Sequence, residues 1–135
     1  MRIEQEFFDA YVALYRPYIN RANSILTAYN LYSSQWLILK DIAKHGTTTL
    51  ADVSRRRQIE KPTANKVIKH LLELGLIQSE QGEDRRVKNL TMTGDGVHLF
   101  DEVSRKMNEM QREVLQDVDR EQLESMITNL EKMKI

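Results

Sequence analysis

The sequence predicts a mainly α chain with one small β-hairpin, organised as a single domain over residues 1–135. Three observations carry that expectation. All five glycines fall between positions 46 and 96. Glycine is a strong breaker of regular structure, so the glycine-free flanks read as long helices. Apolar residues in those flanks recur every three or four positions, which is the helix period. In the middle, two short runs at 76–80 and 87–91 enclose the polar segment 81–86, with Gly82 near its tip. That is the pattern of a hairpin.

The first helix carries the stripe Ile3, Phe7, Tyr11, Tyr15, Tyr18, Ala22, Ile25, Tyr29, widened by Phe8, Val12, Ile19 and Leu26. Pro17 removes a backbone donor and crowds the preceding turn, so it kinks or splits this helix. Asn30 suits a left-handed stop. A second helix starts at Ser33 or Ser34, either of which is a good cap, and buries Trp36, Leu39, Ile42 and Ala43 before Gly46. A third is capped by Thr49, runs to about Arg56 and buries Leu50 and Val53. A fourth runs from about Lys61 to Leu74. Pro62 fits its first turn, and Ala64, Val67, Ile68, Leu71 and Leu72 point inward. After the hairpin, Val97, Phe100, Val103, Met107, Met110, Val114 and Val118 mark a long fifth helix. Asp119 then caps a last one whose inner face is Leu123, Met126 or Ile127, Leu130 and Met133.

Helix, short helix, turn, helix, hairpin is the order of a winged helix-turn-helix. The expected organisation is a lobe at 31–94 flanked by helical dimerisation segments at 1–30 and 95–135. A helix of ~25 residues spans about 37 Å, more than a small domain covers by itself. A second copy of the chain is the simplest partner for the flanking stripes, in a closed two-fold dimer.

Composition narrows the chemistry. Without cysteine there are no disulfides, thiolate metal sites or thiol nucleophiles. His45, His70 and His98 share no metal-ligand spacing. No nucleophile–base pair, phosphate loop or dinucleotide fingerprint is present. The expectation is a protein that is not an enzyme and needs neither cofactor nor metal. No apolar run approaches a membrane span, acids occupy the place of a signal sequence's apolar stretch, and a cytoplasmic location follows as the expectation.

Equal numbers of basic and acidic residues, 20 of each, give zero net charge. The distribution is uneven. Residues 55–94 hold nine basic and five acidic side chains, net +4, and residues 95–135 hold six and ten, net −4. The outer face of the fourth helix presents Lys61, Pro62, Thr63, Asn65, Lys66 and Lys69, residue types that read a major groove. Arg55, Arg56 and Arg57 precede the turn as candidate phosphate contacts. Asp84, Arg85, Arg86 and Lys88 lie on the hairpin, where an arginine suits a minor groove. Eight of the nine aromatics lie in the first 36 positions, so Tyr11, Tyr15 and Trp36 are candidates for lining a ligand pocket.

Leu50-Ala51-Asp52-Val53, Lys61-Pro62-Thr63, Leu72-Glu73-Leu74-Gly75-Leu76-Ile77, Asp84-Arg85-Arg86 and Leu90-Thr91-Met92-Thr93-Gly94 resemble, in this order and spacing, the MarR (multiple antibiotic resistance regulator) family. The resemblance is densest over 48–100. It implies a homodimeric transcriptional repressor on palindromic double-stranded DNA, with the fourth helix of each copy in a major groove and Arg86 in the minor groove. It further implies that Asp84 holds the hairpin and that a small phenolic or lipophilic effector releases the duplex. The chain departs from the family pattern at Arg57-Gln58, where an apolar residue and Gly are usual, and at Glu60, where Ser or Asp is usual. The alternative is a protein-interaction module, an antirepressor or assembly factor, on the same scaffold.

Overall fold

The computed structural model describes residues 1–135. Six helices and one hairpin follow in the order α1 (Ile3–Leu26), α2 (Ser33–His45), α3 (Leu50–Arg57), α4 (Lys61–Glu73), β1 (Ile77–Gln81), β2 (Lys88–Met92), α5 (Gly94–Val114) and α6 (Arg120–Lys132). A 3-10 turn, Thr27–Tyr29, joins α1 to the left-handed Asn30 at φ +60°. The mainly α winged helix-turn-helix expected from the sequence is the fold observed.

α1 packs against α5, and α2, α3, α4 and the hairpin form the lobe beside them. The core lies where these groups meet. Leu26, Leu31, Leu39, Ile42, Val53, Leu71 and Val103 are fully buried. Trp36 of α2 stacks on Phe100 of α5, with ring centroids 5.1 Å apart and planes at 22°. The Tyr18 hydroxyl accepts a hydrogen bond from Gln111 Nε2 at 2.9 Å, and Arg21 pairs with Glu113 at 2.6 Å. These two contacts fasten the second half of α1 to the second half of α5. The first 17 residues are exposed along their whole length, and in α6 only Leu123 is half-buried.

Several local expectations change. Pro17 lies inside an unbroken α1. It removes one backbone hydrogen bond, but the helix continues through it. Neither Ser33 nor Ser34 caps α2. Gln35 Oε1 accepts from the Tyr32 amide at 2.9 Å, and Asn23 Oδ1 of α1 accepts from the Ser33 amide at 2.8 Å. The cap is therefore partly tertiary. Both strands begin one residue later than the apolar pattern placed them, with Ile77 opposite Met92 and Gln81 opposite Lys88. α5 ends at Val114, so Val118 lies in the connection to α6 and not on the helical stripe.

Other caps follow the sequence. Thr49 Oγ1 accepts from the Asp52 amide at 3.2 Å. Asp119 Oδ1 accepts from the Gln122 amide at 2.9 Å, while Gln122 Oε1 accepts from the Asp119 amide at 3.3 Å, a reciprocal capping box. At the start of α5 the Thr93 hydroxyl accepts from the Gly96 amide at 2.9 Å and donates to the Gly75 carbonyl at 2.7 Å. Gly96 sits so close to β1 that a Cβ there would lie 1.9 Å from the Leu76 carbonyl oxygen.

Candidate nucleic-acid interface

The turn between α3 and α4 places α4 against the rest of the lobe. Gln58 takes the left-handed conformation at φ +52°, where glycine is the more usual residue. Ser54 stabilises this turn. Its hydroxyl donates to the Ile59 carbonyl at 2.7 Å, and its own carbonyl accepts from the Ile59 amide at 3.1 Å. Ser54 is buried, and the sequence reading did not single it out. Glu60 occupies the N-cap of α4 without a side-chain hydrogen bond. No side chain takes up the first-turn amides, which leaves the positive end of the helix open to an anion.

α4 and the hairpin face each other across a groove of about 480 Å³. From α4 it takes Lys61, Asn65, Ile68, Lys69 and Leu72, a single helical stripe. From β2 it takes Lys88 and Leu90, two apart and so on one face of the ribbon. Arg85 and Arg86 close it at the hairpin tip, and Thr49 at the end of α2–α3. Five of the lining residues are cationic and none is acidic. The other flank of α4 carries Pro62, Thr63 and Lys66, and shares Asn65 and Lys69 with the groove. The six α4 residues picked from the sequence therefore occupy both flanks of one exposed ridge. Asn65 and Lys69 stand on its crest.

The hairpin tip is organised by Asp84. Its Oδ1 accepts from the Arg86 amide at 3.0 Å, and its carbonyl accepts from the Val87 amide at 2.9 Å. Gln81 Nε2 donates to the Arg85 carbonyl at 3.1 Å. Arg86 lies within 3.5 Å of Asp84, yet its side chain is 90 % exposed. Screening leaves such a contact little strength, so the guanidinium is available to a duplex.

The three consecutive arginines separate. Arg55 pairs with Asp52 on the exposed side of α3 at 3.1 Å, and Arg57 is exposed and unpaired. Arg56 turns inward, which corrects its candidacy as a phosphate contact. Its Nη2 lies 2.6 Å from Asp41 Oδ1 and donates to Thr48 Oγ1 at 2.7 Å, and its Nε lies 3.1 Å from Asp41 Oδ2. The hydrogen bond to Asp41 holds the Arg56 pKa above its ordinary value despite partial burial, with the charges of Asp41 and Asp52 adding to it. A one-residue step on a helix turns a side chain through ~100°, which sends Arg56 to the core side while its neighbours face solvent.

Within one copy, Tyr11, Tyr15 and Trp36 do not line a common pocket. Tyr11 and Tyr15 stack on each other at 5.8 Å on the exposed part of α1. Trp36 is buried against Phe100 and is only 5 % exposed. None of the principal cavities is lined by any of the three. No group of three or more His, Asp or Glu side chains is placed to hold a metal ion, and no helix is long and apolar enough to cross a membrane.

Comparison with known proteins agrees with this geometry. The MarR family model matches residues 31–88, the lobe containing α2, α3, α4 and most of the hairpin. A helix-turn-helix-type transcriptional regulator of Staphylococcus aureus is 47 % identical over 114 residues, covering 84 % of this chain and 78 % of that protein. The structure of S. aureus MarR in complex with salicylate and kanamycin is similar with a TM-score of 0.89 and 41 % identity, over 96 % of this chain and 89 % of that one. A mutant Escherichia coli MarR complexed with operator DNA shares the fold, with a TM-score of 0.85 at 12 % identity over 94 % and 92 % of the two chains.

Proposed function

The chain belongs to the MarR family of transcriptional regulators, and from that premise we propose that it is a homodimeric repressor that binds palindromic operator DNA in the cytoplasm. The observation that carries the reading is the groove between α4 and the wing, with five cations, no acid and an open helix N-terminus. An α-helix fits the major groove of B-DNA, about 12 Å wide, and a hairpin arginine fits the adjoining minor groove. In this reading Lys61, Pro62, Thr63, Asn65, Lys66 and Lys69 meet the major groove, with Asn65 on the crest reading a base edge. Arg86 enters the minor groove, and Arg85, Lys88, Arg55 and Arg57 meet phosphates. The operator complex of E. coli MarR supports the mode of binding.

The dimer follows from what one copy leaves uncovered. Ile3, Phe8, Tyr11, Val12 and Tyr15 on α1, and Met126, Ile127 and Leu130 on α6, are exposed. Apolar faces at both ends of the chain are covered by the same ends of a second copy. Release of DNA by a small phenolic or lipophilic effector is part of the proposal, supported by the salicylate bound to S. aureus MarR. The test is selection of bound duplexes from a random pool, followed by titration against salt. The expected result is an inverted repeat whose half-sites lie about one helical turn, ~34–36 Å, apart. Affinity should fall steeply with salt, with a log–log slope of about −0.9 per neutralised phosphate. Failure to enrich any duplex would overturn the assignment.

A further inference from the structure

Arg56 stands at a junction of three elements. Its guanidinium holds Asp41 of α2 through both carboxylate oxygens, at 2.6 and 3.1 Å, and donates at 2.7 Å to Thr48 in the segment between α2 and α3. Thr48 is buried and is hydrogen-bonded through its backbone to the wing. Its amide donates to the Leu90 carbonyl at 3.1 Å, and its carbonyl accepts from the Leu90 amide at 2.7 Å. Leu90 lines the groove opposite α4. One side chain of α3, the helix that leads into α4, is therefore linked through a single residue to the strand that carries the wing. Asp41, with a side chain only 7 % exposed, anchors the guanidinium from below.

The groove is framed by rigid parts on one side and a two-stranded ribbon on the other. A two-stranded ribbon by itself is marginally stable. At its base the ribbon is anchored by the burial of Leu76 and Ile77 and by the Thr93 hydrogen bonds to Leu76 and Gly75. Further along β2 it is tied to the segment between α2 and α3 by the backbone bridge of Thr48 and Leu90, and the Thr48 hydroxyl is held by Arg56.

We propose that Arg56 is the positioning residue of the interface: by holding Asp41 and Thr48 together it fixes the distance between α4 and the wing, so that one subunit engages major and minor groove at once. The inference rests on the DNA-binding reading above for its consequence, but its structural part is independent of DNA. Lysine at 56 keeps a charge for Asp41 but has no planar fork to span both partners. Valine at 48 deletes the hydroxyl acceptor and leaves the ion pair intact, so Thr48→Val guards against a variant that merely fails to fold.

Hydrogen exchange on the free protein tests the structural part. Arg56→Lys and Thr48→Val should each speed exchange at the Thr48 and Leu90 amides and at the hairpin amides of Gly82 and Val87. Core amides of α2 and α5 should keep their protection. Unchanged protection across the wing in both variants would overturn the proposal. Binding to the duplex selected by the wild-type protein tests the consequence. Either variant should weaken binding about three- to tenfold, and the magnitude of the salt slope should fall by no more than the roughly one unit that Arg86 contributes. The penalty of Arg86→Ala should shrink in the Arg56→Lys background, because a displaced wing no longer delivers Arg86. Independent multiplication of the two penalties would count against it. Absence of any duplex binding by the wild type would remove the DNA-binding reading, while the exchange result would still decide how the wing is held.

Discussion

Gly96→Ala places a methyl group where the structure has no room. The added Cβ would lie 1.9 Å from the Leu76 carbonyl oxygen and 2.9 Å from the carbonyl carbon. Ordinary contact begins near 3.4 Å, so the start of α5 and the start of β1 must separate by about 1.5 Å. Both atoms are backbone, so no rotamer change relieves the clash. The separation acts on two hydrogen bonds that cross this junction, from the Thr93 amide to Leu76 at 3.1 Å and from the Thr93 hydroxyl to Gly75 at 2.7 Å. Overpacking of this kind costs about 1–3 kcal/mol, and each lost hydrogen bond about 1 kcal/mol. Alanine's better helix propensity returns about 1 kcal/mol. The net loss is about 3 kcal/mol, roughly 10 °C in Tm for a chain of this size. The control is Gly94→Ala, two residues earlier, where an added Cβ meets nothing within 4 Å. That variant should be neutral or more stable by about 0.4–1 kcal/mol. Urea and thermal unfolding at one fixed protomer concentration measure both. If Gly96→Ala is as stable as Gly94→Ala, the close approach of α5 to β1 is wrong.

Three further outcomes are expected. Arg86→Ala should weaken binding to the selected operator and reduce the magnitude of its salt slope by about one unit, read by titration at several salt concentrations; an unchanged slope would mean that the Arg86 charge stays clear of the duplex and does not enter the minor groove. Asn65→Ala should cost about 1–3 kcal/mol on the best sequence and little on degenerate duplexes, so repeated selection with the variant should return a relaxed consensus; an identical consensus would remove Asn65 as a base reader. Ile127→Glu with Leu130→Glu on α6 should shift the mass in light scattering from twice 15.8 kDa toward 15.8 kDa, and a dimer that survives both charges would place the interface elsewhere.

The fold was legible wherever a local rule governed it. Thr49 and Asp119 cap helices because the hydroxyl or carboxylate and its amide lie three residues apart, a relation visible in the chain. Ser33 and Ser34 failed because the competing acceptor, Asn23, comes from α1 ten residues upstream. α4 and the hairpin were legible as one cationic surface because cations on a helical face and at a turn need no partner to be recognised. The three arginines were not separable in the same way. Their sequence is uniform, and only the packing of α3 on α2 brings Asp41, fifteen residues earlier, beneath the middle one. Within one copy, Tyr11, Tyr15 and Trp36 lie apart for a related reason. Helix period places aromatics on a stripe but does not say which stretch of the stripe its own chain covers. Here Trp36 reaches the core, while Tyr11 and Tyr15 lie beyond it.

The structure also explains how a chain of zero net charge presents a cationic face. Seven of the ten acids after position 94 lie at Glu109 or beyond. α5 starts against the wing, where Gly96 meets Leu76, and advances about 1.5 Å per residue. Its acidic end at Glu113 is therefore roughly 28 Å from its first residue, several times the ~8 Å screening length at physiological salt. Charges at that separation do not cancel those at the groove. What a phosphate near α4 meets is Lys61, Lys69, Arg85, Arg86 and Lys88 at short range, with no acid among the lining residues. Long-range attraction to a duplex is weak in such a molecule, because the distant field sums toward zero. Attraction begins only at close approach and in one orientation, so geometry at the groove, and with it the placement of the wing relative to α4, weighs more heavily than total charge.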